Sequence, residues 1–199
     1  MVDFKVFGIK FSVSVGLLCV MAFMLYVDKT GYMPTTLLGV LLHEVGHIAA
    51  LKIFGCTPEC VELKIGAISL CGRYNLNTGK TAFMLFAGPI FNLLAAAICF
   101  SAFKYFGGQR HLENSVIMFF LGLFNLLPIT GLDGGEITVL VFSIFFESLK
   151  AKRISKAVSF SFCVLLFILG VFLFLCYKEN PSLLLFAIYL LICTFKNEY

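Results

Sequence analysis

The chain has 199 residues, of which 60 % are hydrophobic and 13 % charged, with 24 phenylalanines among them. That length suits one domain, and the composition is too apolar for a soluble globular protein. The net charge is only +4, with no basic cluster interleaved with aromatics, which excludes a direct nucleic-acid partner.

Lys5 and Lys10 precede an apolar run in the manner of a signal peptide. No small-x-small cleavage site follows, and Phe11 to Val27 carries no charge, so the run reads as a retained first span. The second span extends from Tyr32 to about Phe54. Val61, Leu63 and Ile65 then alternate with Glu62 and Lys64, and the phase resumes after Gly66-Ala67 as Ile68, Leu70, Gly72 and Tyr74. Two short alternating runs joined in this way predict a β-hairpin with a type II′ turn at the membrane surface. Thr81 to Phe103 is the third span. Asn114 to Leu132 is interrupted near Pro128 and continues from Ile137 to Phe146. It reads as one broken span, because irregular backbone survives at membrane depth where it lines a protein-enclosed cavity. Ala157 to Tyr177 is the fifth span, and Pro181 to Phe195 is a sixth, short for about 30 Å of hydrocarbon. The expected architecture is an all-α membrane protein of about six transmembrane helices, one of them broken, with a small membrane-associated β-hairpin. It forms a single domain, 1–199, with a catalytic core at about 32–146.

With six spans, eleven of the 15 Lys and Arg residues fall on the side of the N-terminus. Only Lys29, Lys104, Arg110 and Lys178 fall on the other side. This bias predicts cytoplasmic termini and a cytoplasmic hairpin. The Lys150 to Lys156 cluster reads as a topology anchor. The eight cysteines do not form a disulfide framework, because five lie in apolar runs, where cysteine behaves as a small hydrophobe. Cys56 and Cys60 are loosely spaced for a metal pair and have no second pair to join.

The chemistry centres on His43-Glu44-Val45-Gly46-His47, an HExxH motif within the second span. On a helix the two imidazoles lie one turn apart on one face and can reach one ion, while Glu44 can accept a proton from water. Ionisable groups at membrane depth are costly and usually functional. A hydrolytic zinc site needs a third protein ligand and an open position. His111 lies in an external loop. Asp133, in Leu132-Asp133-Gly134-Gly135, and Glu136 are the acids at plausible depth. The glycines would let the backbone bring Asp133 close to an ion. Glu136 suits the first turn of the half-helix that follows.

HExxH at 43–47 is followed by Ala87-Gly88-Pro89-Ile90-Phe91-Asn92 and by Asn125-Leu126-Leu127-Pro128-Ile129-Thr130-Gly131-Leu132-Asp133-Gly134-Gly135. These three segments, in this order, resemble the signatures of the site-2 protease family of intramembrane zinc metalloproteases. The compact layout looks most like the stage IV sporulation branch, which releases a sigma factor from a membrane-tethered precursor. The resemblance implies one Zn2+ per chain held by His43, His47 and Asp133, Glu44 as catalytic base and Asn92 at the scissile peptide. Asn125, Pro128 and Gly134 would shape the broken helix and its cavity, with Thr130 and Glu136 as further candidates to line it. It also implies a single-span or membrane-tethered substrate such as a pro-sigma or anti-sigma factor, a gating partner in the bilayer, and a bacterial cell membrane as location. The branch commonly carries a nucleotide-sensing CBS domain, whereas this chain stops at Tyr199, so ATP regulation by that route is not expected. A zinc transporter or metal-binding scaffold without hydrolysis is the alternative from another class. It would spread His and acidic residues over several spans, and here they gather beside a base. A prenyl-protein type protease would draw its third ligand from a downstream glutamate, against the Leu-Asp-Gly-Gly context.

Overall fold

The computed structural model describes all residues except 1, 7–8, 15–20, 24, 27, 57, 59, 65–66, 72–75, 178–181 and 197–199. It forms two compact units, Met1–Leu123 and Phe124–Tyr199.

The first unit opens with strands β1 (Val2–Val6) and β2 (Ile9–Val13), followed by helix α1 (Met33–Ile53) and strands β3 (Cys60–Lys64) and β4 (Ala67–Cys71). The strands make one sheet in the order β1-β2-β3-β4. β1 and β2 are antiparallel, with Asp3 opposite Ser12, and their side chains hydrogen-bond at 2.8 Å. β2 and β3 are parallel, with Lys10 beside Cys60, and parallel strands need the long crossover that α1 and its flanks supply. The sheet corrects three expectations. The first span cannot begin at Phe11, because Ile9–Val13 is a strand. The cause is visible in the sequence: Val2, Phe4, Val6, Ile9, Phe11 and Val13 alternate with Asp3, Lys5, Lys10 and Ser12. The chain is therefore helical with a four-stranded sheet, neither all-α nor limited to a lone hairpin. β3 and β4 pair antiparallel with Lys64 opposite Ala67, which places Ala67 inside a strand and moves the connection to 65–66, outside the described residues. Cys60 is disulfide-bonded while Cys56 is free, which removes that pair as metal ligands.

Ahead of α1, the Asp28 carboxylate accepts hydrogen bonds from the Thr30 hydroxyl and from the amides of Thr30, Gly31 and Met33. Arg110 donates to the carbonyls of Thr30 and Gly31 and lies over the Tyr32 ring at 5.2 Å. α1 buries Gly39, His43, Gly46, His47 and Ala50 along one face and turns Leu38, Leu41 and Val45 outward. Helix α2 (Thr78–Phe106) likewise buries Ala87, Gly88, Asn92 and Ala96 and exposes Phe83, Ile90, Leu94 and Ile98. Polar and small residues inside, bulky apolar ones outside, is the pattern of helices in lipid, where tails are as apolar as leucine and small residues let backbones approach. A Cβ on Gly46 would meet the Ala87 carbonyl oxygen at 2.6 Å, so glycine is what permits the α1–α2 approach. Helix α3 (Gln109–Asn125) joins them through Ser115, whose hydroxyl donates to Ala96 O at 2.8 Å, and through Gly122, which faces Pro89 O and Asn92.

The second unit takes in the last two residues of α3, then an irregular segment, 126–132, followed by helices α4 (Asp133–Phe145), α5 (Ser148–Tyr177) and α6 (Ser182–Lys196). The broken span therefore resolves into α3, a break and α4. Gly131 adopts a left-handed φ of 95°, which turns the chain. Cβ atoms on Gly134 or Gly135 would collide with the backbone of Leu126 and Leu127 or of Ile129. The break folds back onto the first turn of α4, and only glycine leaves room. From α5, the Ser159 hydroxyl donates to Pro128 O at 3.0 Å and accepts from the Thr130 amide at 2.9 Å, with the Thr130 hydroxyl also 3.0 Å away. Among the described residues, three helices are long and apolar enough to cross a membrane: Met33–Ile53, Thr78–Phe106 and Ser148–Cys176.

Candidate metal centre

In the middle of α1, His43 and His47 are each 6 % exposed, one turn apart on the face turned toward α2. His47 Nδ1 lies 2.8 Å from the Met84 carbonyl oxygen. A carbonyl only accepts, so Nδ1 carries the proton and Nε2 presents a lone pair. That arrangement orients metal-binding histidines and raises their basicity. His43 Nε2 is 3.1 Å from His47 Nε2. This is near the separation of about 3.3 Å between two nitrogens at tetrahedral zinc. The two nitrogens thus converge where a cation can replace a shared proton.

α2 closes the space over this pair with Gly88. A Cβ there would stand 2.5 Å from His47 Nε2 and 2.8 Å from His43 Nε2. The glycine therefore keeps a small volume open directly against both donor atoms. Neutral imidazoles with a carboxylate are a donor set that zinc takes, so the residues present fit the ion. Glu44 follows His43 on α1 and is half-buried.

Asn92 lies one turn beyond Gly88 on the same face of α2 and is 1 % exposed. Neither its amide oxygen nor its nitrogen has a hydrogen-bond partner among the described residues. An unsatisfied buried polar group costs about 1–3 kcal/mol, so an amide kept in this state calls for a ligand or a function.

The second unit carries the remaining residues of the sequence expectation. Asp133 is the first residue of α4 and half-buried, and Glu136 shares its first turn but is exposed. Asn125 ends α3, and Pro128 and Gly134 hold the break as described above. Thr130 is 6 % exposed and bonded to Ser159 through both its amide and its hydroxyl, so it braces the break. His111 is exposed in the first turn of α3, which removes it from the buried imidazole pair. Sequence reasoning missed two contributors, the Met84 carbonyl and Ser159. A backbone acceptor leaves no mark in a sequence. Ser159 had a faint one, because Ser155, Ser159 and Cys163 recur every four residues in an apolar run, and all three are buried.

Residues 114–169 match Peptidase family M50. The chain is 29 % identical over 144 residues to Stage IV sporulation protein FB of Bacillus subtilis, covering 69 % of this chain and 50 % of that one. It is 26 % identical over 137 residues to Zinc metalloprotease MJ0392 of Methanocaldococcus jannaschii, covering 66 % and 40 %. The chain thus spans half or less of the length of these curated relatives. The solved structure of a site-2 protease from Methanocaldococcus jannaschii shares the fold with a TM-score of 0.72 at 18 % identity, over 100 % of this chain and 95 % of that one. Together with the apolar helices, this makes the chain an integral membrane protein. The ordered motifs, the match over residues 114–169 and the common fold make this chain similar to peptidase family M50 and to the site-2 proteases.

Proposed function

We propose that this protein is an intramembrane zinc metalloprotease that hydrolyses a peptide bond in or near a membrane-embedded segment of another protein. The observation that carries this reading is the buried imidazole pair, oriented by Met84 and left open by Gly88. His43 and His47 supply two ligands and Asp133 the third, with one zinc per chain. When bound, the ion supplies Lewis acidity toward water and the peptide carbonyl. The Glu44 carboxylate removes the proton from the attacking water and delivers it to the leaving amide nitrogen. Asn92, buried without a partner among the described residues, hydrogen-bonds the substrate backbone and orients it. Asn125, Pro128 and Gly134 set the path of the break that leads into Asp133.

A transmembrane helix hides its peptide bonds in its own hydrogen bonds, so the substrate must unwind before cleavage. β4 is an outer strand of the sheet and receives the unwound segment as an added strand. The likeness to the sporulation protein favours a membrane-tethered regulator as substrate, such as a pro-sigma or anti-sigma factor, under a gating partner in the bilayer. Six crossings of a bacterial cell membrane with both termini cytoplasmic, and a single protease domain with its core at about 32–146, complete the reading.

Metal analysis beside a cleavage assay tests it. Glu44→Gln keeps the shape of the side chain and loses the proton acceptor, so zinc should stay near stoichiometric while cleavage of a single-span substrate falls by ~10²–10⁴. His43→Ala, His47→Ala and Asp133→Ala should each lose both metal and activity. Full zinc with full activity in Asp133→Ala would remove it as the third ligand. Normal proteolysis by Glu44→Gln would remove the mechanism.

A further inference from the structure

Cys60 opens β3 and is disulfide-bonded. Of the eight cysteines, Cys56, Cys99, Cys163, Cys176 and Cys193 are free. That leaves Cys19, outside the described residues, and Cys71 as the cysteines that could complete the bond. The sheet decides between them. Cys71 closes β4, and the antiparallel register sets its Cα directly opposite that of Cys60. Opposed residues in such a ladder have Cα atoms about 4.5–5.5 Å apart, within the span of about 4.4–6.8 Å that a disulfide bridges.

The position of this pair in the sheet gives the bond a use. Lys64 and Ala67 pair at the turn end of the β3–β4 hairpin, and Cys60 and Cys71 pair at its open end. β3 is held on its other side by β2, whereas β4 is an outer strand with one ladder. An outer strand frays first from its free end, and Cys71 is that end. A covalent link there therefore controls how firmly the edge of the sheet is held.

We propose that Cys60 and Cys71 form a reversible cross-strand disulfide, a thiol-redox site that fixes the outer edge of the sheet when oxidised and loosens it when reduced. On the proposed map the sheet faces the cytoplasm, where permanent disulfides are rare and those that form are mostly transient or redox-sensing. The exchange partner is a small-molecule thiol and its disulfide. In oxidation, one of the two cysteine thiolates attacks that disulfide, which forms a mixed disulfide and expels one thiolate. The other cysteine thiolate attacks the cysteine sulfur of the mixed disulfide and expels the second. The two protons lost by the cysteines end on the two released thiols, and reduction is the reverse. β4 is the strand proposed to receive substrate, so oxidation preorganises the docking edge, a consequence that rests on the protease reading.

The test uses the full-length chain in detergent, equilibrated with oxidised or reduced glutathione, alkylated and mapped by peptide mass spectrometry. The oxidised protein should give one linked peptide pair, Cys60 with Cys71, and excess reduced glutathione should open it without denaturant. The bond closes a loop of 12 residues, from Cys60 to Cys71. Closing a loop of that size shifts the opening of the hairpin by about 100-fold. The amides of Ile68 to Leu70 should therefore exchange hydrogen up to about 100-fold faster after reduction, and equally fast in Cys71→Ser in either buffer. Cys56→Ser should leave the linked pair and its opening unchanged. Cleavage of a single-span substrate should slow severalfold on reduction with zinc retained, and Cys60→Ser should no longer respond to glutathione. Linkage of Cys60 to any other cysteine, a bond that survives excess reduced glutathione in the folded chain, or β4 exchange unaffected by reduction would each overturn the proposal. Linkage and exchange that respond while cleavage does not would uphold the redox tie and remove β4 as the docking edge.

Discussion

Gly88 shows how much of this site depends on an atom that is missing. Any side chain there meets both Nε2 atoms. Gly88→Ala must therefore push the imidazoles apart, and zinc affinity should fall about 10–100-fold with the helices intact, as read by metal titration and circular dichroism. Ser159 acts on the other unit. Ser159→Ala strands the Thr130 amide and removes the donor to Pro128 O. An unpaired buried group costs about 1–3 kcal/mol, so a lower melting temperature is expected even in the metal-free protein. Asp28 adds a pH term. The Thr30 hydroxyl first, then the Met33 amide, hold its carboxyl down to about 2. A depressed carboxylate contributes stability that is fully present above its unfolded value of about 4 and is lost as pH falls toward 2. The melting temperature of Asp28→Asn should therefore lie below that of the parent at neutral pH and converge with it near pH 2. A gap that stays constant across that window would rule the carboxylate out as its cause.

At the scale of elements, the helices follow from composition while their faces follow from packing. α1 and α2 are apolar nearly all round, and the buried stripe is chosen by where glycine, alanine, histidine and asparagine allow close approach. β1 and β2 were legible in a strict two-residue alternation, yet the apolar run beginning at Phe11 dominated the reading. The β3–β4 turn was misplaced by one residue because alternation sets the phase of a strand and leaves the turn residues open. If β4 receives substrate at its edge, a proline at Ile68 or Leu70 should slow cleavage severalfold while zinc stays bound, since it removes a backbone donor. Normal cleavage by both proline variants would remove the β4 edge as the place where substrate docks.

For the whole molecule, the sheet adds a constraint that charge counting lacked. β2 hydrogen-bonds to β3, so these two strands, on either side of α1 in sequence, lie on the same side of any membrane the chain crosses. On the proposed map, the Lys and Arg bias would put that side in the cytoplasm. Reporter fusions near residue 75 and at residue 199 should both report cytoplasm, and an external signal from either would overturn the proposed six-span map.

Much of the site was readable from local sequence. HExxH puts two imidazoles and a carboxylate on one helical turn because the helix period does so wherever the segment lies, and apolar runs of about 20 residues declare membrane helices by length alone. A break near Pro128 and an acid in the first turn of the following half-helix were likewise implied by the sequence, whereas the left-handed turn at Gly131 was not. What the tertiary structure alone decided are contacts between residues far apart in the chain: the Met84 carbonyl that sets the His47 tautomer, the Gly88 gap over the imidazoles, the Ser159 brace and the joining of β2 to β3. Periodicity reports which face of an element is buried. It carries no information on which partner buries it, and here the partner determines which nitrogen atom is left facing the metal.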